Sequence, residues 1–162
     1  MTHVPPTAQE RLAILRSARS IAIVGASGDP SRASYFVATY LLSSSCSFDH
    51  VWFVNPKGGE ILGRPVYRSL GELPAAPDIV DVFRRSDDLP AVAEEVAAIA
   101  GTKVFWAQLG LWSDEAAAIT EASGRRAVMN RCLKIEHARF AGGLHLAGFD
   151  TGRISSRRRA DL

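Results

Sequence analysis

A chain of 162 residues with 47% hydrophobic and 22% charged side chains is long enough to bury one ordinary core without disulfide or metal staples, so a single domain over residues 1–162 is expected. A formal charge of +2 is too small to imply nucleic acid, no apolar run approaches membrane-spanning length, and the N-terminus carries no signal-peptide core. Two cysteines, Cys46 and Cys132, are too few for a disulfide framework and fit a reducing, cytoplasmic setting.

In chain order, residues 1–6 read as a loose lead-in. Thr7 and Glu10 stand at capping-box spacing, and Leu12, Leu15 and Ala18 give the next segment one apolar face, which predicts an N-terminal helix laid on a sheet. Residues 21–24 are apolar and mostly β-branched, as in a strand covered on both faces. Gly25 and Gly28 permit a sharp turn or close approach to a ligand. Asp29, Pro30 and Ser31 supply a cap and a first-turn proline for a helix over residues 32–42, in which Phe36, Val37, Tyr40 and Leu41 fall at helical spacing. A helix start of this kind offers unpaired N–H groups and a partial positive charge, which together make an anion site.

Residues 51–54 predict a second strand, stopped by Asn55-Pro56 and then Lys57-Gly58-Gly59. Gly63, Pro65 and Gly71 break residues 61–73 into loop with a short strand or helical turn. A third strand is expected over residues 78–83. Pro90, Val92, Val96 and Ile99 then describe a crossover helix that ends at Gly101. Residues 102–107 form the fourth predicted strand, Ser113 caps a helix carrying Ala116, Ile119 and Ala122, residues 127–129 form the fifth strand, and a last helix begins near Arg131 or Cys132. The tail over residues 142–162 is left unplaced; its Arg153, Arg157, Arg158 and Arg159 read as a solvated charge run.

Strands alternating with helices predict an α/β, Rossmann-like three-layer sandwich with a five-stranded parallel sheet in the order 3-2-1-4-5. Ligand is then expected beyond the carboxyl ends of the strands, near the gap between the first and fourth strands where the winding reverses. That rule nominates residues 25–32, 55–59, 83–87, 107–110 and 130–132.

The loop chemistry narrows the ligand. A dinucleotide fingerprint would place its second and third glycines where this chain has Ser27 and Pro30, and would end the second strand with an acid where this chain has Asn55-Pro56-Lys57. A lysine there attracts a phosphorylated ribose that an acid would repel. The candidates are the 3′-phosphate of coenzyme A and the 2′-phosphate of NADP, with Lys57 either their contact or an ordinary exposed lysine.

The chain resembles the CoA-binding domain proteins, small relatives of the nucleotide-binding domain of the succinyl-CoA synthetase α subunit. The likeness rests on Val24-Gly25-Ala26-Ser27 with Pro30, Arg32 and Ser34-Tyr35, on Val54-Asn55-Pro56-Lys57, and on Leu62-Gly63 with Val66-Tyr67 and Ser69-Leu70. It continues through Asp81-Val82-Phe83-Arg84, Trp106 with Gln108 and Gly110, and Arg131-Cys132 with Ile135-Glu136. The resemblance implies CoA or acyl-CoA along the strand ends, with its pyrophosphate on the loop of Gly25, Ala26 and Ser27 and its 3′-phosphate at Lys57. Val82, Phe83 and Arg84 would line the adenine and pantetheine path. Gly28 departs from the polar residue usual after Gly-Ala-Ser in this family. The phosphorylated histidine of the synthetases lies in a domain outside this chain's likeness, so ligase chemistry is not carried over.

Other candidates have plainer readings beside them. Cys132 is either a small packed residue or a thiol able to pair with that of CoA. Trp106 reads as core, and Gln108 as a ligand contact or an organiser of its loop. Of Arg84 and Arg85, the family pattern selects Arg84 for the ligand. Glu136, His137 and His145 lack the spacing of a metal set. The expected function is a CoA-binding module without catalysis of its own, taking a small-molecule nucleotide. The alternatives are an NADP-dependent oxidoreductase or redox sensor, and an interaction module that has lost its ligand.

Overall fold

The computed structural model describes residues 2–43, 46 and 48–141. The tail of residues 142–162, with His145 and the arginine run, lies outside them.

The capping box predicted for the first helix is present: Thr7 Oγ1 accepts from Glu10 N, and Glu10 Oε1 accepts from Thr7 N, at the start of α1 (Ala8–Ser17). Next come β1 (Ser20–Val24), α2 (Ala33–Leu41), β2 (His50–Val54), and a hairpin of β3 (Glu60–Ile61) and β4 (Arg64–Tyr67). The chain closes with β5 (Ile79–Val82), α3 (Leu89–Ala97), β6 (Val104–Ala107), α4 (Asp114–Ala122), β7 (Arg126–Val128) and α5 (Leu133–Ala141). These elements build the expected Rossmann-like α/β sandwich. No helix among the described residues is long and apolar enough to cross a membrane.

The sheet has seven strands in the order β3-β4-β2-β1-β5-β6-β7, parallel throughout except for the β3–β4 pair. This corrects the expected strand order. The strand at residues 79–82 does not flank β2; it lies between β1 and β6. The place beside β2 is taken by β4, which pairs through Phe53 with Val66 and Val54 with Tyr67 alone. Pro65 cannot donate to a central ladder, and it is tolerated because this segment lies near the edge. Winding therefore reverses between β1 and β5: α2 covers one face on the way from β1, and α3 covers the other on the way from β5.

Side-chain alternation divides the core along those faces. Ile21, Ile23, Phe53, Ile79 and Trp106 pack with α1, α2 and α5, whereas Ala22, Val80, Val82 and Phe105 pack with α3 and α4. The lead-in is not loose. His3 is buried, its N–H donates to Asp114 Oδ1 at 2.8 Å, and its ring lies 5.5 Å from that of Trp112, so α4 anchors the segment. That amide bond, with a second from Trp112 Nε1, lowers the Asp114 pKa.

Two buried polar features sit in the first layer. Arg11, on the inner face of α1, donates from Nε to Glu136 Oε1 at 2.5 Å and from Nη1 to the Pro6 carbonyl at 2.8 Å. Glu136 is wholly buried on α5, with Arg131 Nη1 at 3.7 Å from its second oxygen. Removing one partner strands a charge in the core. Arg11→Ala is expected to cost about 3–5 kcal/mol in urea unfolding, most of it recovered in the double variant Arg11→Met, Glu136→Leu. A loss below about 1 kcal/mol would contradict this pairing.

Asp81, between Ile23 and Trp106 in register, is also fully buried, and neither carboxylate oxygen has a hydrogen-bond partner among the described residues. Burial therefore holds its pKa well above the ordinary carboxylate value. The folded chain keeps this proton where the unfolded chain releases it. Stability from this group is full below the unfolded pKa of about 3.9 and falls as pH rises toward the folded one. Asp81→Asn, neutral throughout, should gain on the wild type as pH rises from about 4 to about 8. Parallel stability curves would refute it.

Candidate functional site

At the carboxyl ends of β1, β2, β5 and β6 the sheet opens into a pocket of about 600 Å³. It is lined by Gly25, Ser27, Arg32, Ala33 and Ser34 after β1, by Asn55, Pro56 and Lys57 after β2, by Phe83 and Arg84 after β5, and by Gln108, Leu109 and Leu111 after β6. Ten of the twelve residues expected to contact a ligand are therefore brought together. The other two stand behind the wall: Ala26 is buried under its loop, and Val82 belongs to the layer against α3 and α4.

Gly25 makes the first turn possible. It has a φ of +86°, and a Cβ there would stand 2.4 Å from the Phe83 carbonyl oxygen. Gly28 is not held in this way, since the nearest atom to its Cβ position is Ile61 Cγ1 at 3.7 Å. The cap expected from Asp29, Pro30 and Ser31 is displaced by a turn. Asp29 Oδ1 accepts from Ser31 N and Oγ, closing a local loop, and the N-cap of α2 is Arg32, whose side chain makes no capping bond. Tyr35 N and Phe36 N donate to the Arg32 carbonyl, while the amides of Ala33 and Ser34 have no side-chain acceptor among the described residues, which leaves the helix start open to an anion. Ser34 serves the loop instead, its Oγ accepting from Ser27 N at 3.0 Å.

Asn55 ties the β1 and β2 loops together by using both ends of its amide. Nδ2 donates to the Ala26 carbonyl at 2.9 Å, and Oδ1 accepts from Lys57 N at 2.9 Å. An ionised aspartate has no proton for the first bond and would repel an anionic ligand. Among the described residues the lining carries three cations, Arg32, Lys57 and Arg84, and no carboxylate. Arg84 is partly screened by Asp88 Oδ2 at 3.9 Å, while Arg85 points away with 89% of its side chain exposed.

Gln108 is 95% buried and organises the wall: its Oε1 faces Leu133 N at 3.5 Å, tying β6 to the start of α5. Trp106 is core, with Nε1 donating to the Arg131 carbonyl at 2.8 Å. Cys132 is half-buried against the core and is not part of the pocket lining. Cys46 is likewise outside the pocket, beside His137, and burial raises its thiol pKa. Leu109 and Leu111 form an apolar wall; the strand-end rule reaches Leu109 within residues 107–110, while Leu111 lies just beyond that range. Among the described residues no cluster of His, Cys, Asp and Glu is arranged to hold a metal.

Gly25→Ala should therefore cost about 2–4 kcal/mol by thermal or urea unfolding, the sum of left-handed strain and the clash with main chain. Gly28→Ala should change stability by less than about 1 kcal/mol. Equal effects at the two positions would refute the assigned contact.

Comparison with known proteins identifies the family. The family model described as "CoA binding domain" matches residues 19–138. The chain is 39% identical over 133 residues to the uncharacterized protein YneT of Bacillus subtilis, covering 82% of this chain and 96% of that one. The structure of "cell-free ID.343" from Thermus thermophilus is similar at a TM-score of 0.74 and 35% identity, over 83% of this chain and 98% of that chain. A dinucleotide-forming acetyl-coenzyme A synthetase 1 of Ca. Korarchaeum cryptofilum aligns at a TM-score of 0.58 and 25% identity, over 67% of this chain but 25% of its own. With its family match spanning the sheet and every loop of the pocket, the chain belongs to the CoA-binding domain family.

Proposed function

We propose that the protein binds coenzyme A or an acyl-CoA in this pocket and acts through that binding, without a catalytic group of its own. The observation that carries the reading is the charge of the lining: among the described residues, three cations and no carboxylate around a strand-end pocket that also has the apolar side chains Phe83, Leu109 and Leu111. CoA matches both halves, with phosphates at one end and an uncharged pantetheine arm at the other. Its pyrophosphate lies over Gly25, Ala26 and Ser27 at the start of α2, where the backbone turn and Arg32 favour an anion. The ribose 3′-phosphate meets Lys57. The pantetheine arm then passes Phe83 and Arg84 toward Gln108.

The direction follows from the sheet. β2 and β6 are separated by β1 and β5, so the loops bearing Lys57 and Leu109 stand roughly 14 Å apart at about 4.8 Å per strand. An extended nucleotide laid across the strand ends reaches both. The same charge pattern disfavours NAD, whose ribose hydroxyls are met by an acid after the second strand. Cysteine usage fits a reducing, cytoplasmic setting for this module.

Calorimetric titration tests the assignment. Lys57→Ala should weaken CoA binding by about 1–3 kcal/mol, the range for a charge-assisted hydrogen bond, and leave dephospho-CoA nearly unchanged. Equal losses for both ligands would remove Lys57 from the phosphate, and tighter binding of NADPH than of CoA would replace the ligand.

A further inference from the structure

Lys57 is exposed on a turn that is touched by a residue eleven positions later in the chain. Arg68 directly follows β4, and its guanidinium reaches back to both neighbours of Lys57. On one side Nη1 donates to the Pro56 carbonyl at 3.1 Å. On the other side Cζ, Nε and Nη2 lie 3.2–3.3 Å from the position a Cβ on Gly58 would occupy. Gly58 has a φ of +66° and its N–H donates to the Asn55 carbonyl at 2.9 Å, so the turn is closed and the guanidinium is pressed against it. Asn55 N in turn donates to the Tyr67 carbonyl at 2.8 Å, which fixes the β4 end beside the turn.

Glu72 Oε1 accepts from Arg68 N at 3.1 Å, so that carboxylate holds the main chain, and no ion pair with the guanidinium is found among the described residues. Beyond the bond to Pro56, the remaining N–H groups of the fork are without hydrogen-bond partners there. A phosphomonoester carries nearly two negative charges at neutral pH, more than one lysine balances, and a planar guanidinium with free donors is suited to the second contact.

We propose that Arg68 is the second cation of the extra-phosphate site: it holds the turn that presents Lys57 and adds its own charge, so that the pocket selects nucleotides bearing a phosphomonoester on the ribose. This rests on the reading of Lys57 given above. It assigns a ligand-selecting role to a residue outside the walls of the main pocket.

Full-length wild type, Arg68→Gln and Arg68→Lys are titrated with CoA and with dephospho-CoA. Arg68→Gln is expected to weaken CoA about tenfold and dephospho-CoA less than about twofold, and Arg68→Lys, which keeps the charge, to recover about half of the loss on a logarithmic scale. Equal weakening of both ligands would reduce Arg68 to a prop for the turn and overturn the proposal, as would an unchanged CoA affinity. If the wild type itself does not distinguish CoA from dephospho-CoA, the extra-phosphate site at Lys57 fails and the role of Arg68 fails with it. If the wild type distinguishes them and Arg68→Gln does so equally well, Arg68 alone is overturned.

Discussion

Gly25 is pressed so closely against the Phe83 carbonyl that a single added carbon would stand 2.4 Å from its oxygen. The ends of β1, β2 and β5 are knitted there by main-chain bonds, with Gly25 N donating to the Val54 carbonyl at 2.9 Å and Phe83 N to the Val24 carbonyl at 2.8 Å. Those bonds set three neighbouring strands flush and turn the chain toward α2 within a few residues. The start of α2, the Asn55 turn and the Phe83 corner consequently open on one space. A side chain at residue 25 would push β5 away from β1 at the point where the winding reverses, and the pocket would lose its floor.

On that floor the electrostatics are one-sided. Arg32, Lys57 and Arg84 share the walls with no acid among the described residues, and Asn55 stands where an acid would mark a binder of unphosphorylated ribose. The choice of amide is structural as well as electrostatic, because one end must donate to Ala26 and the other must accept from Lys57. Arg68 extends the same pattern outward from the edge of the sheet. Two buried ionisable features lie elsewhere: the Arg11–Glu136 pair joins α1 and α5, and Asp81, which keeps its proton and has no hydrogen-bond partner among the described residues, stands beside Trp106, so both belong to stability and not to the walls of the pocket.

What was legible in the sequence was local. The Thr7–Glu10 capping box, the apolar runs of β1, β2, β5 and β6, and the Asn-Pro-Lys-Gly-Gly turn each declare themselves within a few residues, and the strand-end rule then gathered most of the site. The strand order failed at β4, where Arg64, Pro65 and two flanking glycine turns hide a strand joined to β2 by only two residue pairs. The cap of α2 was misplaced because Asp29 bonds Ser31 in a turn as readily as it caps a helix. Non-local partners left no trace: Arg11 meets Glu136 across 125 positions, His3 meets Asp114 across 111, and Arg68 is an exposed arginine until the fold brings it to Pro56. Polar groups of this kind carry no periodicity, and only the folded chain reveals what they pair with.

The most direct measurement is native mass spectrometry of freshly purified protein, before and after addition of CoA. A CoA-binding module predicts a bound mass equal to CoA or an acyl-CoA, either carried through purification or acquired on addition. A bound NADP or NADPH that CoA does not displace, or no adduct at millimolar CoA, would contradict it.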